Sequence, residues 1–170
     1  MNIVLTGYRG VGKTAVGKIL SRKLKSRFID TDDEVERLAK MTIPELVAKS
    51  GWKRLRSLER VAVRAALRSG RAVVATGGGA FTESRIRFDR KKNLVILLTA
   101  DSEVIASRIA GSGRPSITGK GAVAEIRQVL RKREKRYFGI ADVVIDTSEA
   151  SPQEAARIIL GFLKHARVKQ

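Results

Sequence analysis

The chain contains no cysteine, which excludes disulfides and thiolate metal sites and demands no oxidising compartment. Aromatic residues are sparse, one Trp, two Tyr and five Phe, and they do not interleave with basic residues to make a platform for stacking bases. No apolar run approaches the ~20 residues of a membrane span. The opening residues, MNIVLTGYRG, lack the charged start and small-residue cleavage site of a signal peptide, so they read as a strand. A cytoplasmic protein is expected. Acidic residues are the last shortage: 17 Asp+Glu stand against 35 Lys+Arg, a formal net charge of +18. That excess points to anionic partners, which could be phosphates, carboxylates or nucleic acid. The cations are nevertheless spread along the chain. Their densest run, RKREKR at 131–136, is broken by Glu134 and lies in a helical pattern, where a solvated helix face accounts for it. Nucleic acid is therefore not the expected partner.

What is present is the pattern of one folded domain over residues 1–170, with 43% hydrophobic and 31% charged residues. Short apolar runs at 2–6, 27–30, 71–79, 93–100 and 141–147 read as strands. Between them lie helical patterns at 13–24 and 33–40, then from Thr42 to Gly70, at 101–110, up to Phe138, and onward from Ser151. Thr42-Ile43-Pro44-Glu45 and Ser151-Pro152-Gln153-Glu154 both have the form of a capping box. Alternation of strand and helix implies an α/β fold with about five parallel strands covered on both faces. GSGRPSITGKG, 111–121, interrupts the ordered body with Gly, Pro and Ser and reads as a mobile loop.

The first strand runs into Gly7-Tyr8-Arg9-Gly10-Val11-Gly12-Lys13-Thr14, which fits G-x-x-x-x-G-K-[ST] between a strand and a helix. Such a loop turns backbone N–H groups onto phosphate oxygens, with Lys13 reaching the β- and γ-phosphates and Thr14 offering a hydroxyl to Mg²⁺. ATP-binding residues are thus expected at Gly10, Val11, Gly12, Lys13, Thr14 and Ala15. Residues 10–15 also read G-x-G-x-x-A, a dinucleotide fingerprint. That fingerprint turns directly out of its strand, however, whereas here Gly7 precedes it, and it assigns nothing to Lys13 and Thr14. The phosphate loop is the better reading.

Beside this loop the stretch FIDTDDEVE (28–36) concentrates negative charge in a basic chain. Asp33, Glu34 and Glu36 are explained as charges favoured in the first turn of a helix. Asp30 and Asp32, read at the end of an extended strand, would share a face. One would serve a Mg²⁺ ion and the other would orient an acceptor hydroxyl. Capping of a helix is the plainer alternative for both.

The ordered set GxxGxGKT, F-x-D-x-D, an Arg ahead of a Glu in a helix, TGGG, and R-P in a Gly-rich loop resembles the shikimate kinase family. Order and spacing match from Ile3 to about Ile159. The resemblance implies a P-loop kinase fold with strand order 2-3-1-4-5, an acceptor-binding region at about 31–60 and a lid at about 111–121. It also implies phosphorylation of the 3-hydroxyl of shikimate by ATP with Mg²⁺, as a monomer. Thr14 and Asp30 would serve the metal, and Lys13, Asp32 and the lid residue Arg114 would be catalytic. Arg56 and Arg133 would grip the substrate carboxylate with planar guanidinium groups. Gly77, Gly78 and Gly79 would bring backbone to the substrate, and Arg108 and the region of Pro152 would flank the adenine.

The sequence departs from the family pattern on the acceptor side. Trp52 stands for a usual Glu, Leu55 and Val47 for Phe, Lys135 for Pro, and R-P-S-I for R-P-L-L. Two alternatives stay open at this point. One is another small-molecule P-loop kinase, acting on gluconate or a nucleoside monophosphate. The other is a nucleic-acid-binding or regulatory protein on a kinase-like fold.

Overall fold

The structure, a computed structural model, describes residues 1–83, 86, 88–110 and 122–168. The lid expected at 111–121, with Arg114, lies outside them. In chain order the elements are β1 (Asn2–Thr6), α1 (Lys13–Lys23), β2 (Arg27–Asp30), α2 (Thr31–Ala39), α3 (Ile43–Arg68) and β3 (Ala72–Ala75). They continue with α4 (Ala80–Glu83), β4 (Asn93–Thr99), α5 (Ser102–Ile109), α6 (Ala122–Ile140), β5 (Val143–Asp146) and α7 (Pro152–Val168). The strands form one sheet in the order β2-β3-β1-β4-β5, with every pair parallel. The α/β class and the strand order are those expected.

Parallel strands must bury both faces, so their runs are continuously apolar, with alternate residues serving opposite layers. Ile3, Leu5, Val73, Ile96 and Leu98 meet Val16 and Leu20 of α1, Ile105 of α5, Ile126 of α6 and Ile159 of α7. The intervening Val4, Val74 and Val95 face Val63, Ala66 and Leu67 of α3, together with Phe81. A third cluster joins Val35 of α2 to Leu46, Leu55, Leu58 and Ala62 of α3. That cluster packs α2 against α3, with Val47 and Trp52 partly buried at its margin.

Both predicted capping boxes form. Glu45 N reaches Thr42 Oγ1 at 3.4 Å while Thr42 N donates to Glu45 Oε2 at 2.8 Å, and Ser151 and Glu154 exchange the same pair of bonds. Within α3 the chain kinks at Gly51, whose φ of 73° and ψ of 172° are not helical.

One local reading needs correction. The helix expected from residue 33 starts at Thr31, because Asp30 caps it: Asp32 N donates to Asp30 Oδ1 at 3.0 Å. Asp30 and Asp32 therefore do not alternate along a strand. Asp30 ends β2, and Asp32 lies in the first turn of α2. The capping bond stops the extended backbone at Asp30. The short helix α4, after the glycine triplet, was not anticipated either.

Candidate active site

The phosphate loop leaves β1 at Gly7, where φ is 132° and a Cβ would stand 2.2 Å from Leu98 O, so only glycine fits. Helix α1 then opens on Gly12 with no side-chain cap and no acidic residue in its first turn. By contrast α2, α3, α5, α6 and α7 all carry acid there. The uncompensated N-terminal N–H groups and dipole of α1 favour an anion supplied by a ligand. Lys13 Nζ spans the loop to Gly7 O at 3.0 Å and Tyr8 O at 2.7 Å. Gly10 through Val16 line a cleft whose far wall is Arg108, Thr147, Ala150 and Pro152. Arg108 donates to Thr147 O at 2.7 Å, and the buried Thr147 hydroxyl lies 3.1 Å from Val11 O, tying this wall to the loop.

Thr14 Oγ1 donates to Asp30 Oδ2 at 2.7 Å. Burial pushes the Asp30 carboxyl above the ordinary carboxylate range, against the Thr14 hydrogen bond and with repulsion from Asp32. A hydroxyl and a partly buried carboxylate facing a phosphate loop are hard oxygen donors of the kind Mg²⁺ accepts, with phosphate and water completing its shell. The residues present thus fit the ion. Among the described residues no group of three or more His, Asp or Glu is placed to hold a metal by protein ligands alone.

A second cleft opens beside α2 and α3, lined by Tyr8, Arg9, Asp32, Trp52, Arg56 and Arg133, with Ile43, Leu55, Glu59, Gly78 and Gly79 completing it. Arg56 NH1 reaches both carboxylate oxygens of the buried Glu59, at 2.7 and 2.6 Å, and its guanidinium stacks 5.3 Å from the Trp52 ring. Burial raises the Glu59 carboxyl above its usual range, with Arg56 opposing that shift. Arg133, also buried, donates to Gly78 O at 3.1 Å, as does the Tyr137 hydroxyl. A Cβ on Gly79 would sit 2.2 Å from Arg56 NH1, and one on Gly77 would sit 2.6 Å from Asp32 Oδ1. The triplet thus leaves room for side chains as well as exposing backbone. Gly77 N is engaged by Thr31 Oγ1 at 2.9 Å, so it is Gly78 and Gly79 that face the cleft.

The two clefts meet at Arg9 and Asp32, which line both. Arg9 NH2 bonds the buried Glu125 Oε1 at 2.8 Å, across 116 residues of sequence. Lys13, Thr14, Asp30, Asp32, Arg56, Arg108 and Arg133 each line one or both of these adjoining clefts. Of the departures, Trp52 and Leu55 form part of the acceptor wall, whereas Val47 packs in the cluster between α2 and α3. Sequence reasoning missed Arg9, Glu125, Thr147 and Tyr137. Arg9 lay in view as a variable position of the loop; for the others no local pattern marks the contact.

A phosphate loop and a cleft lined by Arg9, Arg56 and Arg133, joined at an aspartate, describe a kinase for a small anionic acceptor. The family model of shikimate kinase matches residues 9–164.

The chain belongs to the shikimate kinase family.

Shikimate kinase 2 of Yersinia enterocolitica is 39% identical over 98% of both chains. The shikimate kinase of Pelotomaculum thermopropionicum is 36% identical, covering 96% of this chain and 95% of its own. Among solved structures, shikimate kinase from Acinetobacter baumannii in complex with shikimate superposes with a TM-score of 0.89 at 30% identity. It covers 97% of this chain and 93% of its own. As a shikimate kinase the chain is an ATP-dependent kinase, and its sheet order is that of the P-loop kinase fold. None of its described helices is long and apolar enough to cross a membrane.

Proposed function

We propose that the chain transfers the γ-phosphoryl group of ATP to the 3-hydroxyl of shikimate, as one kinase domain over residues 1–170. The observation that carries this reading is the position of Asp32. It lines both clefts, with Arg56 and Arg133 on one side and Lys13 and Thr14 on the other. Shikimate offers hydroxyls and one carboxylate. Arg56, held by Glu59, and Arg133, held against Gly78, grip the carboxylate, while Asp32 accepts a hydrogen bond from the reacting hydroxyl.

The acceptor oxygen forms its bond to the γ-phosphorus as the bond from that phosphorus to the β-bridging oxygen breaks, and ADP leaves with the electron pair. The hydroxyl proton passes to Asp32. Lys13 exchanges its loop carbonyls for phosphate oxygens, and α1 directs its N–H groups at the same charge. Mg²⁺, held by Thr14 and Asp30, supplies further charge neutralisation on the phosphates when bound. Arg9 adds a guanidinium at the junction. Arg114, on the family resemblance alone, closes over the phosphates from the region of 111–121.

The test is ADP release against a panel of shikimate, quinate, gluconate and nucleoside monophosphates. Turnover with shikimate, falling at least ~10³-fold in kcat for Asp32→Ala with ATP binding retained, supports the reading. Turnover of another acceptor alone would overturn it. The Trp52 and Leu55 wall is the specific reason to include other hydroxy acids.

A further inference from the structure

Two anionic substrates account for only part of a charge of +18. The fold places six further exposed cations at the edge opposite the active site. Five helices open with acid in their first turns, and several of these turns surround the clefts. Where the parallel strands begin, the sign is reversed. Lys23 ends α1 and Lys25 follows before β2, Arg68 ends α3 and Arg71 precedes β3, and Lys91 and Lys92 lead into β4. All six are exposed. The acids at these strand entries are Asp89, 3.9 Å from Lys92, and Asp142, which is held by Arg90 at 2.6 Å and by Val95 N. Lys23, Lys25, Arg68, Arg71 and Lys91 make no ion pair among the described residues.

A second observation is independent of the charge count. Lys25 and Arg71 have φ of 49° and 51°, in the left-handed region where glycine is favoured, a conformation shared among the described non-glycine residues only by Lys40 at the end of α2. They enter β2 and β3, which are neighbours in register. Cations thus occupy two adjacent turns in which a smaller, uncharged residue would be less strained. Beside them a groove runs between the end of α3 and the start of β4, lined by Arg64, Arg68, Lys92 and Asn93, with Asp89 and Phe88 also on its wall.

We propose that this strand-entry edge binds single-stranded RNA through its phosphates, at a site separate from the kinase clefts. The cations flank the entries of β2, β3 and β4, with β1 between the last two, so they lie one or two strand spacings of about 4.8 Å apart, within reach of a flexible chain that carries a charge on every unit and is held by its phosphates rather than by base stacking. Guanidinium groups pair with phosphates bidentately. Met1 is the only exposed large apolar side chain at this edge among the described residues, so the surface has no wedge for a bilayer. It also presents helix C-termini and turns rather than a projecting helix that could enter a duplex groove.

The probe is a labelled oligouridylate of about 20 nucleotides, read by fluorescence anisotropy. If four phosphates are neutralised, affinity falls on the order of 50-fold between about 50 and about 200 mM salt. The double variant Lys25→Gly/Arg71→Gly weakens binding on the order of 10-fold and lowers the salt slope by about 1.4. Its Tm is held or raised, because glycine relieves both turns, and its kcat with shikimate is unchanged. Arg68→Ser, which leaves the backbone conformation alone, repeats the test should the double variant melt early. Several outcomes would overturn the proposal: unaltered affinity in these variants, no dependence on salt, or displacement of the RNA by ATP. Tighter binding to duplex DNA or to phosphatidylserine vesicles would do so as well.

Discussion

At the scale of single residues, the acceptor cleft depends on side chains that hold other side chains. Arg56 sits between Glu59 and Trp52, and Gly79 leaves it the space. Gly79→Ala would place a methyl 2.2 Å from the Arg56 guanidinium and force it aside. The expected result is a KM for shikimate raised roughly 10- to 100-fold with little change in KM for ATP, measured by ADP release. Glu125 does the same for Arg9, from α6. Glu125→Gln removes the counter-charge of a buried pair, so kcat should fall about 10-fold and stability by roughly 3 kcal/mol, checked by kinetics and urea denaturation. The groups proposed to react were legible in the sequence because each belongs to a short motif whose chemistry needs that residue at that spacing. Glu125 and Tyr137 were not, because what they touch lies 116 and 59 residues away.

At the scale of elements, the helix starts follow from local hydrogen bonding. Thr42, Ser151 and Asp30 each accept from, or are met by, a backbone N–H two or three residues on. Two of these were read correctly because a partner Glu completes the box. The third was misplaced because Asp30 also ends a strand and faces Thr14, and an acidic run does not say which of its members caps. Ser151→Ala should lower stability by about 1 kcal/mol, seen as a lower urea midpoint with unchanged m. Gly51→Ala meets open space but is forced to φ of 73°, so it should destabilise by about 1 kcal/mol through backbone strain alone.

At the scale of the whole molecule, burial of the chain's two tyrosines links folding to alkaline pH. Burial raises the Tyr137 hydroxyl to about 12, with Arg133 opposing it, and raises Tyr8 as well. Both sit above the unfolded value of 10.0, so the native state retains protons that the unfolded chain gives up. That stabilisation is full below pH 10 and is lost as pH rises through about 12. Tyrosinate absorbance at about 295 nm should therefore appear together with loss of helical circular dichroism, not before it. Tyrosinate forming in a still-folded protein near pH 10 would contradict the burial.

The amino-acid sequence by itself determined the alternation of strand and helix and the phosphate loop, and it supplied the candidates for the proposed reacting groups. These rest on periodicity and on contacts within a few residues, which a linear chain displays directly. Only the tertiary structure decided that Arg9 and Asp32 stand where two clefts join, that Gly77 makes room rather than offering its amide, and that cations scattered along the chain share one edge. The physical reason is the parallel sheet. It brings all strand starts to one side and all strand ends to the other, so residues far apart in sequence become neighbours by topology alone.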